Sequence, residues 1–332
     1  MRREDIGRRR FLAAAGAALA WGLAPGGRRA TAQAKLGPVR LGYNANLYGS
    51  LSVIALQEKL FERHGVVVDG RRFAAGRQIR DAMVAGQIDL GTFGADTFII
   101  GANKGNLIAI ALLAHAGRTA HIIVRPDSGI TSVADLKGKT VAGILGGSIF
   151  TIFETRLAPK YGLPKGSYRA VNVMGPDQLS ALATKQVDAV AAVEPYVSIG
   201  EEQGIARSIA SYETVDLTPF LLCARPEFVD ANRAATVAFL RGWIAAAKVM
   251  QAEPDRAAAI MLAAYREQGY DLNQATIARA LARLEVRTDF APELRTYLTR
   301  EAQELLREKK IGAIPDWERA LRGEFLAEAK KG

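Results

Sequence analysis

The 332-residue chain predicts an α/β fold of two successive units followed by a helical tail. Three observations carry that expectation. Short apolar runs alternate with amphipathic stretches from residue 39 to about 223, as in a sheet built from βαβ units. Beyond Pro226 only helical periodicity remains. Two strands, near 120–125 and 217–222, bracket the second unit, so the chain passes between the units twice. The economical arrangement is one lobe from 35–120 and 223–332 and a second from 121–222, hinged about a cleft.

The N-terminus is set apart from this fold. Arg8, Arg9, Arg10, Phe11 and Leu12 precede an uncharged Ala- and Gly-rich run over 13–24. That run is shorter than the roughly 20 apolar residues a membrane span needs. Arg28 and Arg29 follow, then Ala32-Gln33-Ala34, an A-x-A cleavage pattern. Segment 1–34 resembles a twin-arginine (Tat) export signal, a route that carries folded proteins; the alternative is an uncleaved membrane anchor. The mature chain is expected to begin near Lys35.

Seven of the chain's arginines lie in that segment against Glu4 and Asp5, so half of the +10 net charge leaves with it. The remaining 37 basic and 32 acidic residues are spread along the chain. Nucleic-acid binding would need clustered Lys and Arg, whereas a mild surplus favours small anions. Cys223 is the single cysteine, which excludes an intrachain disulfide. His64, His115 and His121 show no metal-ligand spacing, and no H-E-x-x-H or G-x-S-x-G occurs. No cofactor is expected.

In order, residues 39–43 read as a first strand. Ser50 is expected to cap a helix running to His64, which Gly65 ends. Strand 66–73, helix 77–85, strand 89–93, helix 96–104 and strand 107–113 complete the first unit. The second has strand 121–124, a helical turn at 133–136, strand 140–144 and helix 148–161, stopped by Gly162 and Pro164. Strand 170–173, helix 176–185, strand 189–193 and a helix ending near Gly204 follow. Strand 217–223 carries the chain out. In the tail, Val237, Leu240, Ile244 and Ala247, then Ile277, Leu281 and Leu284, then Leu294, Leu298 and Leu305 mark helix faces. Trp243 reads as core. Glu301, Glu304, Arg307 and Glu308 read as a solvated helix face.

Several stretches, taken in order and spacing, resemble a known family. They are Val39-Arg40-Leu41-Gly42-Tyr43, Gly86-Gln87-Ile88-Asp89-Leu90-Gly91, Gly94-Ala95-Asp96 and Ser128-Gly129-Ile130. Asp135-Leu136-Lys137-Gly138-Lys139-Thr140-Val141-Ala142, Gly146-Gly147-Ser148, Gln186-Val187-Asp188-Ala189 and Glu194-Pro195 complete the set. Over residues 37–310 the chain is similar to periplasmic substrate-binding proteins of ABC importers, in the nitrate/sulfonate/taurine (SsuA/NMT1-like) family. The resemblance implies a bilobal periplasmic-binding-protein-like fold (type II) and no catalysis. It also implies one small organic anion or zwitterion held in the cleft, delivered as a monomer to an inner-membrane permease.

In parallel α/β sheets ligands gather beyond the carboxyl ends of strands, and four such loops stand out. Tyr43, Asn44, Asn46 and Tyr48 offer two amides and two phenols; the alternative is a turn satisfied by its own side chains. At Gly94, Ala95, Asp96 and Thr97, glycine permits close backbone approach, and Asp96 is either a helix cap or a ligand group. Gly146, Gly147, Ser148 and Ile149 resemble an anion seat at a helix start, or a plain turn capped by Ser148. The helix dipole contributes about 0.3–1 kcal/mol, up to about 2 when partly buried. Micromolar binding needs about 8 kcal/mol, so direct hydrogen bonds must supply most of it. Glu194 is a candidate for an amine, or a cap of the helix opened by Pro195. Asp96 and Glu194 together favour a zwitterion such as taurine. Arg77, His115 and Arg118 are further candidate anion partners; the alternative for the arginines is a solvated surface position.

The main expectation is a binding protein. The first alternative is an enzyme on the same fold, making a thiamine pyrimidine precursor or dehydrating a chorismate-like acid, which would need a positioned Lys or His. The second is a sensor module presenting ligand to a membrane receptor.

Overall fold

The computed structural model describes residues 36–332; the expected export signal lies outside the described residues. Four strands come first: β1 (Leu36–Asn44), β2 (Val66–Phe73), β3 (Leu90–Gly94) and β4 (Ile108–His115). Then come β5 (Ala120–Val124), β6 (Thr140–Gly143), β7 (Arg169–Asn172), β8 (Ala189–Val193) and β9 (Arg207–Ser211). Last are β10 (Pro219–Ala224) and β11 (Glu285–Val286). They form two sheets, in the orders β11-β4-β10-β3-β1-β2 and β7-β6-β8-β5-β9. In the first, β1 pairs in parallel with β2 and β3, and β10 runs antiparallel between β3 and β4. In the second, β6 pairs in parallel with β7 and β8, and β5 runs antiparallel between β8 and β9. The fold is a bilobal α/β architecture with one sheet per lobe.

The two lobes repeat one local device about a hundred residues apart. In each, a helix ends on a residue with left-handed backbone, Gly86 (φ +72°) or Lys185 (φ +61°). A glutamine, an apolar residue and an aspartate follow. Asp89 accepts from the Arg40 N–H at 3.0 Å, and Asp188 accepts from the Thr140 N–H at 2.8 Å. Each carboxylate thus satisfies a backbone donor of its sheet's first parallel strand. Asp89 also holds the Arg40 and Arg225 guanidiniums, tying β1, β3 and β10 together.

All eight residues of β4 are buried, and β3, β5, β8 and β10 are buried throughout, as expected of strands covered on both faces. In the tail, helix Leu294–Arg307 buries Leu294, Tyr297, Leu298, Glu301, Ala302 and Leu305, one stripe at helical spacing. Trp243 is fully buried, its Nε1 donating to the Leu112 carbonyl at 3.3 Å. Among the described residues, no helix is long and apolar enough to cross a membrane.

Four expectations need correction. Residues 219–222 were expected in the second lobe, but they pair with β3 and β4 in the first sheet. The tail is not helical throughout: β11 adds an edge strand to β4. Ser50 lies inside helix Ser50–Gln57 rather than capping it, and that helix breaks before Lys59, whose backbone is left-handed. Asn46 caps the preceding turn instead, through the Tyr48 N–H. Finally, Glu301 is not on a solvated face; it is buried and ion-paired with Arg156 of the second lobe.

Candidate functional site

Loops that follow six parallel strands, three from each sheet, line one cavity of about 70 Å³ between the lobes. From the first lobe come Asn44, Asn46 and Tyr48 after β1, Ala74 to Arg77 after β2, and Gly94 and Thr97 after β3. From the second come Ile144, Gly147, Ser148 and Ile149 after β6, Gly175 and Gln178 after β7, and Val193 and Tyr196 at the end of β8. Phe220 of β10 adds an aromatic wall. This is where the crevice of a parallel α/β sheet is expected.

Local hydrogen bonds orient the first-lobe groups. Asn46 Oδ1 accepts from the Tyr48 N–H at 3.0 Å, and Asn44 Nδ2 donates to the Thr92 carbonyl at 2.8 Å. The Tyr48 ring stacks on Phe220 with centroids 3.7 Å apart, and its hydroxyl meets that of Thr119 at 2.8 Å. Burial pushes the phenols of Tyr48 and Tyr196 well above their ordinary value, so both stay neutral. Arg77 is the one charged side chain lining the cavity among the described residues. Its Nη1 donates to the Leu145 carbonyl of the opposite lobe at 2.6 Å.

Across the cleft, Gly146 holds a left-handed turn (φ +75°) and Gly147 is extended just before helix Ser148–Ile152. Ser148 gives its hydroxyl proton to Asp96 of the first lobe. That hydroxyl is therefore an acceptor, not a donor, toward anything in the cavity. Asp96 also accepts from the Thr97 N–H at 2.6 Å. It sits in the first turn of helix Ala95–Ala102, two residues inside the capping position, which Gly94 occupies.

The structure thus gathers Asn44, Asn46, Tyr48, Arg77, Gly94, Thr97, Gly147, Ser148 and Ile149 around one cavity. The other candidates lie elsewhere. Tyr43 borders a separate hollow with Arg72 and Met261. Gly146 shapes the turn without lining the cavity, and Ala95 and Asp96 border a smaller space behind Ser148 with Tyr297 and Glu301. Glu194 is fully buried and fully engaged. It accepts from the Ser198 N–H at 3.0 Å, the Ser198 hydroxyl at 2.9 Å and Arg283 Nη1 at 2.5 Å. It acts as a helix-start acceptor and lobe-to-lobe ion pair. His115 is buried beside Glu285, 3.8 Å away, and burial holds its pKa down. Arg118 is largely exposed, 3.6 Å from Glu213.

Sequence reasoning missed Gln178, Phe220 and the Ala74–Gly76 loop. The first and last were within reach: they follow β7 and β2, and the strand-end rule applies there as it does after β1 and β6. Phe220 carried no such signal, because its strand inserts from the far end of the middle lobe.

Residues 49–257 match the model of the NMT1/THI5-like family. A Brucella abortus protein with a provisional binding-protein name is 30% identical over 201 residues, covering 59% of this chain and 61% of the relative. The chain therefore spans about three fifths of that relative's length. The taurine-binding periplasmic protein of Escherichia coli is 25% identical over 198 residues, 58% of this chain and 60% of the relative. The fold is similar to the alkanesulfonate-binding protein SsuA of Xanthomonas axonopodis pv. citri, solved with MOPS. That match has a TM-score of 0.77 at 21% identity, covering 87% of this chain and 99% of SsuA. It is also similar to the desulfurization enzyme DszB, with a TM-score of 0.65 at 14% identity, covering 88% of this chain and 99% of DszB. With more than half its length matched and two sheets meeting over one crevice, the chain belongs to the NMT1/THI5-like family.

Proposed function

We propose that this protein captures a small organic anion, of the sulfonate class, between its lobes in the periplasm and delivers it to the permease of an ABC importer. One observation carries the reading: a crevice walled by both lobes has Arg77 as its single charged lining residue among those described. A guanidinium in a sheltered site favours an acid group. The names of the relatives, a taurine-binding protein among them, support the same ligand class. Export on a signal ending near Ala34 belongs to this reading.

The likeness to DszB raises a catalytic alternative, and the cleft's chemistry argues against it. Acid–base or covalent chemistry needs a titratable group or nucleophile in reach. Among the described residues, no Cys, His, Lys, Asp or Glu lines the cavity; its hydroxyls are those of Thr97, of Ser148, engaged with Asp96, and of Tyr48 and Tyr196, which burial keeps protonated. Cys223 is buried in β10, and burial pushes its thiol well up.

The test is calorimetric titration of the purified mature chain with alkanesulfonates, taurine, nitrate and short carboxylates, followed by product analysis. One-to-one binding of a sulfonate without turnover is the expected result. Conversion of any bound compound would establish the enzymatic alternative.

A further inference from the structure

Resting on that anion-binding reading, we propose that Gln178 sets the specificity of the cleft. It selects anions that carry a neutral hydrogen-bond donor, such as a hydroxyl, over anions that carry an ammonium.

Gln178 lines the cavity from helix Gly175–Ala183 and is 2% exposed. Its Nε2 donates to the Val173 carbonyl at 3.2 Å. A carbonyl can only accept, so this bond fixes which way the amide is turned. The oxygen is left over. Oε1 is buried and has no hydrogen-bond partner among the described residues. A buried acceptor without a donor is unfavourable, and a donor on the ligand is what would satisfy it.

In the first lobe Asn44 also lines the cavity, and its amide is turned by Nδ2 donating to the Thr92 carbonyl.

Charge decides between a hydroxyl and an ammonium. An ammonium taken out of water needs a carboxylate to pair with, and none lines the cavity among the described residues. Asp96 and Glu194 lie behind the wall with their oxygens engaged by Thr97, Ser148, Ser198 and Arg283. The one lining charge, Arg77, is positive and repels a second cation. A hydroxyl needs no counter-charge and brings one proton for an amide oxygen.

The experiment compares, on the mature chain at pH 7, three probes built on the same two-carbon sulfonate: 2-hydroxyethanesulfonate, ethanesulfonate and 2-aminoethanesulfonate. The expected order is hydroxyl tightest, by about tenfold over each of the others. Gln178→Leu should erase the advantage of the hydroxyl over ethanesulfonate, and Gln178→Glu should move the preference to the ammonium. Equal or tighter binding of the ammonium probe by the unaltered chain overturns the proposal, as does a hydroxyl advantage that survives Gln178→Leu. The comparison on the unaltered chain stands whether or not either variant folds. If the probes bind in the wrong order, the specificity assignment alone fails; if no sulfonate or carboxylate binds at all, the anion-binding reading fails and takes this one with it.

Discussion

Gly94 of the first lobe meets Ser148 of the second so closely that a Cβ on Gly94 would stand 2.7 Å from the serine Cβ. No real pair of such carbons approaches that far. The contact forms only when the lobes are together, so glycine is required by closure, not by the fold of either lobe.

Gly94→Ala should therefore block full closure while leaving both sheets intact. Ligand affinity should fall tenfold or more, and small-angle scattering with ligand should show a larger radius than for the unaltered chain. Adding Ser148→Gly removes the clashing carbon and should restore compaction. A singly substituted protein that closes normally would show that the contact can yield.

Arg77 reaches across the cleft to the Leu145 carbonyl at 2.6 Å. It is both the cavity's charge and a bond between the lobes. Charge-assisted hydrogen bonds contribute about 1.5–3 kcal/mol, so Arg77→Ala should weaken anion binding about ten- to a hundredfold. Arg77→Lys keeps the charge but loses the planar fork and should recover only part of it. Calorimetry at two salt concentrations checks the prediction; unchanged affinity in the alanine variant would remove Arg77 from the site.

Burial pushes the Asp96 carboxyl up from 3.8 to about 6, against the pull of its bonds to Thr97 and Thr151. An acid with a raised pKa holds its proton more tightly folded than unfolded. Its stabilising contribution is thus fully present below pH 3.8 and is lost as pH rises through about 6. The loss is about 3 kcal/mol at most, since the Ser148 hydroxyl also favours the charged form. Asp96→Asn should flatten this stretch of the stability profile, gaining on the unaltered chain between pH 4 and 7 in urea unfolding. A constant difference between the two proteins across that range would mean that Asp96 titrates normally.

Glu194 is fully buried, and burial pushes its pKa up against the pull of Ser198 and Arg283. Removing Arg283 leaves a buried carboxylate with a serine for company. Breaking such a pair is strongly destabilising, and because Arg283 is a quarter exposed the loss expected for Arg283→Ala is about 2 kcal/mol. The double change with Glu194→Gln should recover most of it, as read by denaturant midpoints. A double variant no more stable than the single one would show that Arg283 acts through packing instead.

Much of the strand order was legible because buried parallel strands are short apolar runs and the helices between them end on glycines. β9 and β11 were not legible. Arg207–Ser211 is only half-buried and lacks an apolar run, and two residues of β11 carry no period at all. The site divided along the same line. Loops after β1, β3 and β6 announced themselves through Asn, Gly and Ser, whereas Gln178 sat inside an ordinary helical stretch. Asp96 and Glu194 looked like ligand groups because a sequence shows a carboxylate's position without the partners that occupy it.

By itself the amino-acid order determined the α/β class, the two successive units, the tail's helices and three of the loops that border the crevice. Those features are local: they depend on apolar period, turn residues and distance along the chain. Only the tertiary structure decided that Glu194 answers Arg283, that Ser148 answers Asp96, and that Arg77 stands as the charge in the cavity. Each of these partners lies fifty or more residues away in sequence, and pairing across that distance is set by how two sheets pack.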